Sequence, residues 1–135
     1  MSKPGQKRSL ARETVYKYLF ARNFNGEDPK LYRVLSEEAG LNGESKAFAD
    51  SLLKSVISHY DTLLQKVESI VDGYKLERIY TTDKCALVLA IAELTYFDTP
   101  KPVVIDEMVS LSSIYSTEKS SDFVNGVLAK YIKEN

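Results

Sequence analysis

The stretch Cys85-Ala86-Leu87-Val88-Leu89-Ala90-Ile91-Ala92-Glu93-Leu94 decides the fold. Nine of these ten residues are apolar or small, so a helix built from them has no polar face to give to water. A helix that is apolar on all sides is a buried helix. The run is too short to cross a bilayer, which takes about 20 apolar residues. Periodicity alone also permits a buried strand. Three alanines and a helix-compatible continuation from Asp83 through Phe97 favour helix. The reading is a central core helix with the downstream segments packed around it.

Working outward, Thr82 or Thr81 is the expected cap of this helix, with Asp83 in its first turn, where acid is favoured. Leu76-Glu77-Arg78-Ile79 reads as one helical turn, and Asp72-Gly73 as a break between two halves. Downstream, Asp98-Thr99-Pro100-Lys101-Pro102 is a rigid loop. A helix over 103–115 follows, with Val104, Ile105, Met108, Leu111 and Tyr115 inward and Ser112 and Ser113 outward. A polar loop over 116–120 precedes a last helix over 121–133, whose seam is Phe123, Val124, Val127, Leu128, Tyr131 and Ile132.

Upstream, 1–6 reads as a loose tail and 7–23 as a helix with Leu10, Val15, Leu19 and Phe20 as its apolar stripe. Asp28-Pro29 starts a short helix that ends near Gly40, with Leu31, Val34 and Leu35 inward. A longer helix from about 45 carries Phe48, Leu52, Leu53, Val56 and Ile57. Asp61 reads as a cap before Leu63, Leu64, Val67, Ile70 and Val71 continue the pattern. No stretch alternates with period two. The expected fold is all-α, about seven helices in two small packed bundles. One domain spans 1–135, with halves at about 7–72 and 73–133.

A hydrophobic content of 44% with 27% charged residues suits a soluble globular chain. The first six residues are polar and no apolar run follows them, so no secretory leader is expected. Cys85 stands alone, which fits a reducing cytoplasmic setting and a buried apolar role better than a reactive thiol. No metal site and no cofactor are expected. His59, the single histidine, reads as a packing or capping residue. There is no phosphate loop and no nucleophile elbow. Asp106 and Glu107, being adjacent, diverge on a helix and make no carboxylate pair. The chain reads as a non-enzyme.

The charge is unevenly spread. Residues 1–22 carry six basic residues against Glu13 alone, while the remainder carries 12 basic and 18 acidic residues. A basic arm on an acidic body suits a polyanion at one end, and a solvated helix start is the plain alternative. Arg8 and Arg12, four apart, share a helix face.

Phe123-Val124-Asn125-Gly126-Val127-Leu128 is unusual because glycine inside a helix costs about 1 kcal/mol relative to alanine. Such a glycine predicts close approach of another backbone or of a ligand. Asn125 is expected to bond a neighbouring loop or helix end.

This run resembles the C-terminal signature of the NusB family of transcription antitermination factors. The similarity extends upstream through Pro100 to Leu111, in Val103-Val104-Ile105-Asp106-Glu107-Met108-Val109-Ser110-Leu111, and includes Tyr115-Ser116-Thr117-Glu118-Lys119-Ser120. Ala11-Arg12-Glu13 with Leu19-Phe20 is similar to the family's first helix. The resemblance implies a factor that binds boxA RNA together with NusE, a small-subunit ribosomal protein. It implies action in the RNA polymerase antitermination complex, with read-through of ribosomal RNA operons.

By the same resemblance, Lys3, Lys7, Arg8 and Arg12 are expected to contact RNA, with Lys119, Ser120 and Ser121 ahead of the last helix. Phe20 and Phe123 are candidates for base stacking. Glu77 and Asp83 are expected to face the protein partner, where a basic ribosomal protein suits acidic contacts. The family's N-terminal arginine cluster is thinner here. That favours the alternative of a protein-interaction helical module, possibly a homodimer, with little RNA affinity of its own. No membrane association is expected.

Overall fold

The computed structural model describes the backbone of residues 4–71 and 76–135. Among them run seven α-helices and no strand: α1 (Pro4–Asn25), α2 (Pro29–Glu38), α3 (Gly43–Ser58), α4 (Tyr60–Ile70), α5 (Thr81–Tyr96), α6 (Lys101–Tyr115) and α7 (Glu118–Glu134). A single 3-10 turn, Leu76–Arg78, precedes α5. The chain forms two compact units, Met1–Ser55 and Val56–Asn135. The break expected at Asp72-Gly73 lies outside the described residues.

In the first unit α1 starts at Pro4, where a tail was expected. Proline suits the first turn because its missing N–H has no helical partner there and its φ is already helical. Ala11, Val15, Tyr16, Tyr18 and Leu19 are buried, whereas Leu10 and Phe20, placed in the stripe by sequence, are over a third exposed. Asp28 caps α2 as expected, its Oδ1 accepting from the Leu31 N–H at 3.1 Å. Gly40 closes α2 at φ +71°, with its N–H on Glu37 and the Leu41 N–H on Ser36. Only glycine takes that conformation without strain, and the two bonds satisfy carbonyls the helix end leaves open. Val34 is exposed and Ser36 buried, so the inward face of α2 is rotated from the expected one.

α2 is tied to α3 by Tyr32, whose hydroxyl donates to Asp50 at 2.8 Å. Burial, reinforced by the hydrogen bond to Asp50, holds the Tyr32 hydroxyl far above its ordinary pKa, so it remains a donor. Lys46 pairs with the same carboxylate and lies 5.0 Å from the Tyr32 ring centroid.

The second unit is built on α5. Every residue from Cys85 to Glu93 is buried. α4, α6 and α7 all pack against α5. Burial pushes the Cys85 thiol up to about 12, only partly offset by Lys84, so it is an inert apolar group. The helix is not capped by Thr81 or Thr82; Tyr80 is its N-cap residue and gives no side-chain bond. Likewise His59, not Asp61, is the N-cap residue of α4. The His59 ring stacks on Tyr96 with centroids 4.3 Å apart, the packing role expected of it.

Two further expectations fail in this unit. Ser112 is fully buried rather than outward, because it follows Met108 by four residues on the same face of α6. Tyr115, expected inward, is over a third exposed.

Candidate nucleic-acid interface

In the first unit the basic residues of α1 meet the start of α3. Arg8 Nε donates to Glu44 Oε1 at 2.8 Å. The Arg8 guanidinium lies 4.5 Å, and that of Arg12 5.2 Å, from the centroid of the Phe48 ring. Phe48 is buried, so this ring is a fixed platform for two cations. The two arginines then differ. Arg12 is only 2% exposed and belongs to the core, while the Arg8 side chain is 43% exposed. Lys7 is exposed. Lys3 lies outside the described residues.

Further along, α1 presents Phe20 and Phe24. Their rings pack edge to face at 5.2 Å. Phe24 is 63% exposed, so the pair offers aromatic surface to solvent.

In the second unit Lys119, Ser120 and Ser121 do not form a loop before the last helix. They lie in the first turn of α7, which begins at Glu118. Thr117 is the cap: its Oγ1 accepts from the Ser120 N–H at 3.1 Å and its carbonyl from the Ser121 N–H. The N–H groups of Ser120 and Ser121 are therefore already bonded. Ser120 and Ser121 are buried, and Lys119 is exposed.

Ser120 instead ends a directed chain of hydroxyls. Thr82 Oγ1 donates to Ser116 Oγ at 3.3 Å, Ser116 Oγ to Ser120 Oγ at 2.8 Å, and Ser120 Oγ to Asp83 Oδ2 at 3.3 Å. The chain joins the first turn of α5, the residue closing α6 and the first turn of α7. Thr82, the second residue of α5, thus spends its hydroxyl between helices and not at the N-cap, which is Tyr80. Asp83 is only 4% exposed, and its Oδ1 has no hydrogen-bond partner among the described residues. Burial raises its pKa, and the Ser120 hydrogen bond works against that rise. Glu77, named with Asp83 by sequence, is exposed.

Asp83 and Ser120 line a cavity of about 470 Å³ together with Arg78, Ile79, Tyr80, Thr117, Lys119 and Phe123. The volume is within the range of small-ligand sites. Two cations and two aromatic rings border one hollow, with Asp83 in its wall and the Asp83 Oδ1 atom itself closed to solvent. That set can stack a flat ring and neutralise an anion. Sequence reading singled out Lys119, Ser120, Phe123 and Asp83 but assigned no role to Arg78 or Tyr80. The available signal was an aromatic residue, Tyr80, two positions after a basic one, Arg78.

Among the described residues no helix is long and apolar enough to cross a membrane. No group of three His, Cys, Asp or Glu residues among them is placed to hold a metal ion.

A family model described as the NusB family matches residues 6–133. A transcription antitermination protein NusB from Thermodesulfovibrio yellowstonii is 34% identical, over 95% of this chain and 93% of its own length. One from Methylacidiphilum infernorum is 33% identical, over 95% and 92%. Among solved structures, a crystal structure of antitermination factors NusB and NusE in complex with dsRNA superimposes with a TM-score of 0.87. It is 27% identical and covers 96% of this chain and 98% of that one. NusB of T. maritima gives a TM-score of 0.85 at 28% identity, covering 100% and 94%.

Proposed function

This chain belongs to the NusB family of transcription antitermination proteins, and from that premise we propose that it binds boxA RNA together with the ribosomal protein NusE. The pair acts in the RNA polymerase antitermination complex in the cytoplasm and carries out no chemical transformation. The observation that carries the reading is the cavity of the second unit. Its aromatic residues Tyr80 and Phe123 suit an unstacked base, and its cations Arg78 and Lys119 suit the phosphates on either side. Asp83, bonded to Ser120 through Oδ2, fixes the first turns of α5 and α7 that form the wall of this cavity.

The first unit contributes charge. Lys7 and Arg8, with Lys3 in the preceding segment, supply phosphate contacts, and Phe20 supplies a stacking surface. Arg12 acts one step removed, by fixing the Phe48 platform on which Arg8 rests. Glu77, exposed at the 3-10 turn, is the acidic contact offered to the basic ribosomal protein.

The test is a titration of boxA RNA with and without NusE at two salt concentrations. Binding that strengthens with NusE and weakens with salt is the expected result. RNA binding that is undetectable even with NusE present rejects the proposal. It would leave the protein-interaction module, possibly homodimeric, as the reading.

A further inference from the structure

Gly126 sits well inside α7 and is exposed. Sequence logic asks such a glycine to admit a neighbouring backbone, yet a Cβ built there meets nothing within 4 Å among the described residues. Asn125 beside it is exposed as well. Alanine at 126 would fit the space and favour the helix. Within the free protein, then, the glycine lowers helix stability with no packing gain in return.

A second observation places a ligand surface at the same spot. Gly126 lines a groove of about 290 Å³ with Ile70, Val71, Asp122, Phe123, Val127 and Lys130. The floor is aliphatic and aromatic. Lys130 Nζ is held at the groove by the Ile70 carbonyl at 3.3 Å. Phe123 borders this groove and also the larger cavity around Asp83, so the two hollows share one wall.

We infer that the RNA strand seated in the Asp83 cavity continues across Phe123 into this groove, where its backbone passes in contact with α7 at Gly126. This rests on the RNA reading above. A strand of alternating flat bases and anionic linkers suits the aromatic wall and aliphatic floor, with its linkers on the Lys130 side and away from the Asp122 carboxylate. The absence of a side chain at 126 lets the strand approach the helix main chain, which a methyl group would prevent.

The experiment is Gly126→Ala in the full chain, read two ways. In the free protein the melting temperature is expected to rise by about 3 °C, since the helix gains and nothing clashes. In a boxA RNA titration with NusE present, affinity is expected to fall about tenfold, the consequence of a methyl group at a tight contact. A lower melting temperature overturns the inference, because the glycine then serves the chain's own packing. Unchanged RNA affinity in the variant, with wild type binding normally, also overturns it. So does a loss of NusE affinity measured without RNA, which would assign the groove to protein. Wild type that binds no RNA at all overturns the underlying RNA reading instead.

Discussion

Ser120 donates its hydroxyl hydrogen to Asp83 Oδ2 at 3.3 Å, leaving Asp83 Oδ1 buried and without a hydrogen-bond partner among the described residues. The two residues come from the first turns of α7 and α5. A carboxylate in that position is desolvated on one oxygen and satisfied on the other. That leaves a desolvation cost in the folded protein which the Ser120 bond offsets only in part.

The pH dependence of stability follows from the direction of the Asp83 shift. Its pKa is raised above the ordinary 3.8, chiefly by burial. The folded state therefore holds the proton more tightly than the unfolded state. Its stabilising contribution is complete below the unfolded value and is lost as pH rises through the folded one. Asp83→Asn removes this dependence. Denaturation at a series of pH values from neutral downward is expected to show wild type gaining on the variant as pH falls. Parallel curves would mean that burial does not shift Asp83.

Arg8 and Arg12 should separate by experiment, although they share the Phe48 ring. Arg12 is buried, so Arg12→Ala removes packing as well as charge and is expected to cost about 2 kcal/mol in urea denaturation. Arg8 pairs with Glu44 at the surface, and exposed pairs contribute only about 0–1 kcal/mol. Arg8→Ala is expected to leave stability nearly unchanged. It should instead reduce the slope of log affinity against log salt for RNA by about one. Equal stability losses for the two variants would refute this division.

Asp28 offers a local check on the first unit. It caps α2 through Leu31, and its own N–H donates to the Tyr18 hydroxyl at 3.0 Å. Asp28→Ala keeps the second bond and removes the first, at an expected cost of about 1 kcal/mol in thermal or urea unfolding. Asp28→Asn retains a capping oxygen and should lose little. Loss of the same size in both would point to the carboxylate charge rather than the cap.

Much of the architecture is legible in the chain because local rules were enough. The Asp28-Pro29 start and the Gly40 stop of α2 are set by backbone chemistry within a few residues. The helical spacing of Phe48, Leu52 and Val56 survives into the structure as buried positions. The candidate site was only partly legible. The sequence presents Lys119, Ser120 and Asp83 as separate contacts and gives Arg78 and Tyr80 no distinguishing pattern. Thr117 went unrecognised as a cap, so the first turn of α7 was read as loop.

The core helix of the second unit was determined by the sequence itself. A run from Cys85 to Leu94 with one polar residue leaves no face for water, and burial is the only stable outcome. The tertiary structure decided where the hydroxyls and the carboxylate go. Thr82 bonds Ser116 across 34 residues, and Ser120 bonds Asp83 across 37. Such bonds depend on helix ends brought together by packing, whereas a local pattern specifies only which residues share a turn or a face.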